Sequence, residues 1–165
     1  MYICLFIPYC RPAKLQKILL TFLMDYGLLA GIFTFCDTSG LRYSYAPLTI
    51  HSYAWHILLI ALGLYAGYTK KADYSLRGFA GSTGVYLACA LAATFCNLAF
   101  YSYGPINMFY ISPHYLIRQK FFRHIAAFWG NGTGIFSYLC ATIFGAYILH
   151  RLWAAKTKSG ANVNL

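Results

Sequence analysis

Hydrophobic residues along this chain fall into long runs that are separated by short polar and basic segments. Four runs are long enough to cross a bilayer, because a membrane-spanning helix needs roughly 20 apolar residues. The pattern predicts spans at about 15–36, 47–69, 78–101 and 133–153. The sequence therefore predicts an all-α, multi-pass transmembrane helix bundle that forms a single membrane domain over residues 1–165.

Two further segments are apolar without forming complete spans. The first ten residues, MYICLFIPYC, are too few to cross and lack the basic start of a secretory signal, so we predict a partial N-terminal helix in an N-terminally truncated chain. In residues 113–129, apolar side chains recur at helical spacing with cations on other faces: Ile117, Phe121, Ile125 and Phe128. This segment is predicted to be either an interfacial helix or a short helix that caps the bundle.

Composition and charge agree with a membrane protein. Hydrophobic residues make up 60% of the chain, only 10% are charged, and the mean hydropathy is +0.55, which a soluble domain of this size could not bury. The 13 basic residues outnumber the 3 acidic ones, but they lie in short clusters between apolar runs, which argues against nucleic-acid binding. Membrane lipids are the expected partners.

The basic clusters also predict an orientation. Nine of the 13 cations flank the same ends of the predicted spans: Arg11, Lys14, Lys17, Lys70, Lys71, Arg77, Arg151, Lys156 and Lys158. Cytoplasmic loops carry an excess of Lys and Arg. We therefore expect a protein of the inner (cytoplasmic) cell membrane with a cytoplasmic C-terminus.

Polar side chains inside the second span are the first candidates for function. Thr49, Ser52 and His56 are spaced i, i+3 and i+7, so they share one helix face, whereas His51 points well away. Imidazole titrates near neutrality and can accept a proton from a hydroxyl or thiol, which makes His56 the better candidate for a catalytic base. The alternative is a neutral histidine that makes an interhelical hydrogen bond.

Asp25 is the one acidic residue well inside a predicted span. A carboxylate in hydrocarbon is costly, so Asp25 should be protonated, face water, or pair with a partner such as His56. Together with Asn97 in the third span, it could belong to a proton relay or an ion path. The alternative places Asp25 near the interface in a shifted span.

Cysteines and small residues contribute less to the functional prediction. The six cysteines show no C-x-x-C pair and no metal-ligand spacing, so most are expected to be packing residues, and we predict neither a metal site nor a cofactor. Glycines at helical spacing in the second and third spans predict close helix packing: Gly63, Gly67, Gly81 and Gly84.

Several segments of the chain resemble a known family. The order FLMDYGLLAGIFTF, PLTIHSYAWHILLIALGLY, INMFYISP and GIFSYLCATIFGAYIL is similar to the C-terminal two-thirds of the YwaF-type bacterial integral membrane proteins, which are related to transmembrane protein 164. The most specific element is the pair His51 and His56 at the start of the second span. The next is the group Asn107, Phe109 and Tyr110.

The resemblance implies an α-helical bundle of six or seven spans. In the transmembrane protein 164 branch it also implies acyl transfer between phospholipids, with a cysteine nucleophile and a histidine base in the position of His56. The family's cysteine would lie just before Met1, so Cys4 is the remaining nucleophile candidate in this chain. Helices missing from a truncated chain would leave a groove that a second copy could fill, so self-association is also expected.

Two function classes follow from these observations. The first is a lipid-acyl enzyme in which His56 activates a thiol or hydroxyl, and the loop around Phe109 and Tyr110 helps to hold the lipid. The second is a non-enzymatic channel, carrier or assembly protein in which Asp25, the histidines and Asn97 line a polar path. A lipid-sized cavity at His56 would favour the first class, and a continuous polar lumen would favour the second.

Overall fold

The computed structural model describes the backbone of residues 3–162 and the side chains of residues 5–38 and 40–157. All regular structure in this range is helical. The α-helices, in chain order, are α1 (Ile3–Phe6), α2 (Ala13–Cys36), α3 (Ala46–Tyr68), α4 (Leu76–Ala99), α5 (Lys120–Trp129) and α6 (Asn131–Asn162). The predicted all-α class is confirmed.

Four of these helices, α2, α3, α4 and α6, are long and apolar enough to cross a membrane. Their ends lie within two residues of the predicted spans, except that α6 continues beyond the predicted end at 153. The predicted partial N-terminal helix is the single turn α1, which a 3-10 turn at Ile7–Tyr9 extends. The chain is therefore a multi-pass membrane protein by helix length and composition.

The loop before α4 is tied to α2 by side-chain hydrogen bonds. The Thr21 hydroxyl is fully buried and accepts the backbone N–H of Asp73 at 2.9 Å. Two residues later, the Ser75 hydroxyl accepts the N–H of Gly78 at 3.1 Å and caps the first turn of α4. The loop is therefore fixed at the end that leads into α4.

Asp73 reinforces this cap. Its carboxylate accepts the Ser75 N–H at 2.9 Å. Burial acts to raise the pKa of Asp73, but the hydrogen bonds from Ser75 and the charges of Lys17 and His150 outweigh that effect and hold the pKa below its ordinary value. The ionised form is therefore the one that stabilises this loop.

The amphipathic helix predicted over 113–129 is shorter than expected and occupies only Lys120–Trp129. The preceding segment is held as a loop by Asn131. The Asn131 carboxamide accepts the N–H of Ile117 at 3.0 Å and donates to the carbonyl of Tyr115 at 2.9 Å. Because a side chain satisfies these backbone groups, the loop needs no helical hydrogen bonds.

The helices pack as two compact units, and α4 and α6 contribute residues to both. The first unit comprises 1–83 and 145–165, and its core contains Met24, Leu28, Ala66, Ala72 and Trp153. The second unit comprises 84–144, and its core is built on Ala90, Ala93 and Ile111.

Glycine contacts account for the close packing inside the first unit. A methyl group at Gly63 would lie 2.8 Å from the carbonyl oxygen of Leu23, and one at Gly67 would lie 2.6 Å from the ring of Trp153. The predicted packing role is therefore confirmed at these positions. It is wrong at Gly84, where a methyl group would meet no described atom within 4 Å.

Candidate functional site

Asp25 lies at the centre of an irregular stretch of α2. Residues Leu23–Gly27 form one π-helical turn, whose wider spacing is frequent at functional sites. All five residues of this turn are buried, and Asp25 itself has no exposed surface. The side chain of Asp25 is therefore enclosed by protein.

The partner of Asp25 is His150 on α6. Oδ2 of Asp25 lies 3.0 Å from Nδ1 of His150, and both side chains are inaccessible to solvent. Asp25 therefore has a hydrogen-bonding partner, which was one of the predicted possibilities. The suggested partner His56 is wrong, because the fold brings His150, 125 positions away in sequence, to Oδ2.

Hydrogen-bond chemistry fixes the number of protons that this pair holds. Nε2 of His150 lies 3.1 Å from the carbonyl oxygen of Ser75, which can only accept, so Nε2 carries a hydrogen. A second proton lies between Nδ1 and Oδ2 of Asp25. The pair is therefore either an imidazolium beside a carboxylate or a neutral imidazole beside a carboxylic acid, and one short proton transfer interconverts the two forms.

Ser82 completes the buried cluster. Its hydroxyl lies 3.3 Å from Oδ2 of Asp25 and 2.9 Å from the carbonyl of Phe79, so two acceptors compete for one hydroxyl proton. The other carboxyl oxygen, Oδ1, is buried and has no hydrogen-bond partner among the described residues. An unsatisfied buried oxygen costs about 1–3 kcal/mol, and it marks the position at which the cluster can bind a further proton or donor.

A cavity of about 430 Å³ lies against this cluster at His150. His150 and Ser75 line it together with Tyr74 and Arg151. The Tyr74 hydroxyl donates to the carbonyl of Gly67 at 2.6 Å. Burial raises the pKa of Tyr74 despite its hydrogen bond with Thr157, so this wall of the cavity stays neutral.

His56 makes a different hydrogen bond from the histidine of the buried cluster. Its Nδ1 lies 2.7 Å from the carbonyl oxygen of Ser52, one turn earlier on α3. Because a carbonyl only accepts, the neutral ring carries its hydrogen on Nδ1 and its lone pair on Nε2. The ring is half-buried, and Nε2 has no hydrogen-bond partner among the described residues.

The other predicted residues of this helix do not join His56. Thr49 is occupied at the start of α3, where its hydroxyl accepts the N–H of Tyr43 at 3.0 Å and donates to the Tyr43 carbonyl at 3.2 Å. His51 is exposed and stacks on Trp55 with ring centroids 6.1 Å apart. The side chain of Cys4 lies outside the described residues.

The Asn-aromatic-aromatic element lies in the second unit and has a strained backbone. Phe109 and Tyr110 both adopt left-handed conformations, with φ of 58° and 60°, which non-glycine residues adopt only when the surroundings enforce them. Asn97 enforces them by bonding both the N–H and the carbonyl of Met108, at 2.7 and 3.1 Å, and Asn107 accepts the N–H of Ser112 at 3.0 Å.

These bonds change the interpretation of Asn97. Its side chain is fully buried, and both ends of its carboxamide are used by the backbone of one loop residue. These two bonds use one lone pair of Oδ1 and one hydrogen of Nδ2, and they tie α4 to the aromatic loop.

The sequence analysis missed His150 and Ser82. A signal for His150 was present, because it is an ionisable residue inside the predicted span 133–153, which is the same criterion that selected His56. Ser82 is not ionisable, so this criterion does not distinguish it from the other small residues of α4. Within the described part of the chain, no three side chains of His, Cys, Asp or Glu come together as metal ligands would.

Comparison with known proteins finds no matching family model, no matching curated protein and no matching solved structure.

Proposed function

We propose that this chain is a YwaF-like integral membrane protein that carries out acyl chemistry on membrane lipids, with His56 as the general base. The observation that carries the proposal is the hydrogen bond from Nδ1 of His56 to the Ser52 carbonyl, 2.7 Å long, which leaves Nε2 as the basic nitrogen. A base held in one tautomer by a second group is the arrangement that activates a nucleophile. The resemblance in residues 46–69 supports the same assignment.

The access that a lipid has to His56 also supports its role as the general base. The ring is half-buried, while the following residues Ile57 and Leu58 are exposed on a helix that can span the membrane. An acyl chain lying against these side chains would bring its ester within reach of Nε2. Polar groups on a lipid would then meet an unpaired acceptor in a largely apolar surrounding, where hydrogen bonds are strengthened.

The proposed reaction moves one proton and exchanges one ester bond. Nε2 takes the proton of an attacking hydroxyl or thiol as its oxygen or sulfur bonds to the lipid carbonyl carbon. The bond between the carbonyl carbon and the alkoxy oxygen of the original ester then breaks, and the imidazolium returns the proton to this leaving oxygen. If the hydroxyl of an acceptor lipid attacks, the acyl chain is transferred in this single step. If the thiol of Cys4 attacks, an acceptor hydroxyl attacks the resulting thioester in a second step, in which Nε2 takes its proton and returns it to the departing thiolate.

An assay of lipid products tests this proposal. We expect proteoliposomes of the wild-type protein to move or release a labelled acyl chain from phosphatidylcholine, and His56→Ala to lower the rate at least about 100-fold, as expected for loss of a general base. His51→Ala is the matched control on the same helix and should retain the wild-type rate. Cys4→Ser separates the two attacking groups, since only a thiol mechanism would be slowed by it.

Equal rates for His56→Ala and the wild-type protein would reject the proposal. So would a wild-type protein that forms no labelled product in lipids of several headgroups while remaining folded.

The buried Asp25–His150 pair supports a second candidate, a non-enzymatic protein that carries protons or proton-coupled solutes. The pair interconverts its two forms by one proton transfer, and His150 lines a cavity of about 430 Å³ in the first unit. Intramembrane pairs of this type are used as proton relays. In this case His56 would make only its intrahelical hydrogen bond.

Proton flux distinguishes the second candidate from the first. In pyranine-loaded proteoliposomes, the second candidate predicts proton entry that Asp25→Asn reduces at least about tenfold, because an amide keeps the hydrogen bond and cannot carry the proton. Asp37→Asn is the control, since it removes a carboxylate outside the spans, in the loop that follows α2. Flux that is the same in protein-free liposomes would reject this candidate.

We further propose that the basic ends of the spans face the cytoplasm, which places the C-terminus inside the cell. The nine cations at these ends support this orientation by the positive-inside rule.

A further inference from the structure

A second cavity in the first unit is lined by cations. It has a volume of about 330 Å³ and lies between the start of α2 and the loop that follows α3. Lys17 comes from the helix, and Lys70 and Lys71 come from the loop. No acidic residue lines it among the described residues, so its formal charge is +3.

The backbone holds these three lysines together. Lys70 has a φ of 55°, a left-handed conformation that turns the chain sharply after α3 and places two successive lysines at the cavity. The Thr21 hydroxyl donates to the carbonyl of Lys17 at 2.8 Å and accepts the N–H of Asp73 at 2.9 Å. One buried threonine thus ties the helix that carries Lys17 to the loop that carries Lys70 and Lys71.

The positive charge is only partly compensated by neighbouring groups. The nearest acid in this loop is Asp73, whose pKa Lys17 helps to lower. Its carboxylate is already committed to the Ser75 N–H that it accepts. Three ammonium groups against one committed carboxylate leave a net charge of about +2, which suits a phosphate group.

The remaining walls of the cavity are apolar. Leu20, Ala13 and Ala72 line it beside the lysines, so a ligand would meet cations on one side and hydrocarbon on the other. The cavity also lies where two spans end, because α2 begins at Ala13 and α3 ends at Tyr68. Span ends are at the depth of lipid headgroups, and basic pockets between spans bind anionic ones.

From this combination of charge, apolar wall and depth, we infer that the cavity lined by Lys17, Lys70 and Lys71 binds the phosphate of an anionic phospholipid headgroup. The site is separate from the proposed catalytic base, since the end of α3 lies 12 residues beyond His56, about 18 Å along the helix. The inference therefore stands or falls independently of the acyl chemistry.

Lipid binding to single variants tests the site. We expect the purified full chain in detergent to retain phosphatidylglycerol over phosphatidylcholine in native mass spectrometry. Each of Lys17→Gln and Lys71→Gln should weaken that binding about fivefold, since a lysine near the membrane surface contributes about that factor. Lys14→Gln is the matched control, because it removes the same charge from the same end of α2 without lining the cavity.

Three results would overturn the inference. Lys14→Gln could lose as much phosphatidylglycerol as Lys17→Gln, which would indicate diffuse surface charge. Glycerol phosphate in lipid-free detergent could bind with the same dependence on Lys17 and Lys71, which would identify a soluble phosphate compound as the ligand. The wild-type protein could also retain both lipids equally. An unchanged melting temperature in each variant ensures that a loss of binding is not a loss of fold.

Discussion

Replacing His150 with alanine is expected to lower the free energy of unfolding by about 3–5 kcal/mol, because it leaves Asp25 buried without its partner. Asp25 and His150 both have no accessible surface, and their contact at 3.0 Å joins α2 to α6. The loss also removes the bond from Nε2 to the Ser75 carbonyl, which holds the loop before α4. Asp25→Ala should be comparably destabilising, since it strands the imidazole instead of the carboxyl group.

A double-mutant cycle distinguishes the interaction energy of Asp25 with His150 from the separate cost of removing each side chain. We expect Asp25→Ala combined with His150→Ala to cost clearly less than the sum of the single changes, because the double variant buries no unpaired group. Unfolding can be followed in detergent micelles through tryptophan fluorescence, to which Trp153 in the core of the same unit contributes. His124→Ala, at an exposed position on α5, should change stability by less than about 0.5 kcal/mol. Strictly additive single effects would contradict the proposed pairing.

The membrane-spanning elements could be predicted from sequence because their signal is local. A helix that crosses a bilayer satisfies its own backbone and needs a continuous apolar run, so length and hydropathy alone gave the ends of α3 and α4 within two residues. The segment 113–119 shows the limit of this approach. Its apolar spacing was helical, yet Asn131 supplies the hydrogen bonds that a helix would have made.

The buried pair could not be predicted because its signal is not local. Burial and charge selected Asp25, but the choice between His56 and His150 depends on which helices meet. No periodicity in a single span carries that information. The tautomer of His56 depends in the same way on rotamer geometry, because its acceptor is the backbone carbonyl of Ser52, which any residue at that position would offer.

The π-helical turn around Asp25 links helix packing to the chemistry of the site. This turn brings the carbonyl of Leu23 against Gly63 of α3, where a methyl group would lie only 2.8 Å away. The close approach of α3 therefore helps to hold the turn that aims Asp25 at His150. Packing of α2 on α3 and pairing of α2 with α6 are thus expected to be coupled.

Gly63→Ala is accordingly expected to destabilise the protein by about 1–3 kcal/mol, since the added methyl group meets a backbone oxygen and Cβ of Leu28, neither of which can rotate away. Gly84→Ala is the matched control, because it adds the same methyl group to a spanning helix where no described atom lies within 4 Å. Alanine is the better helix former by about 0.5–1 kcal/mol, so Gly84→Ala should leave the melting temperature unchanged or raise it.

Equal effects of the two substitutions would show that helix propensity, not contact with the π-helical turn, governs both positions. A loss confined to Gly63→Ala that also weakens the coupling between Asp25 and His150 in the double-mutant cycle would identify the close packing of α2 on α3 as the support of the buried pair.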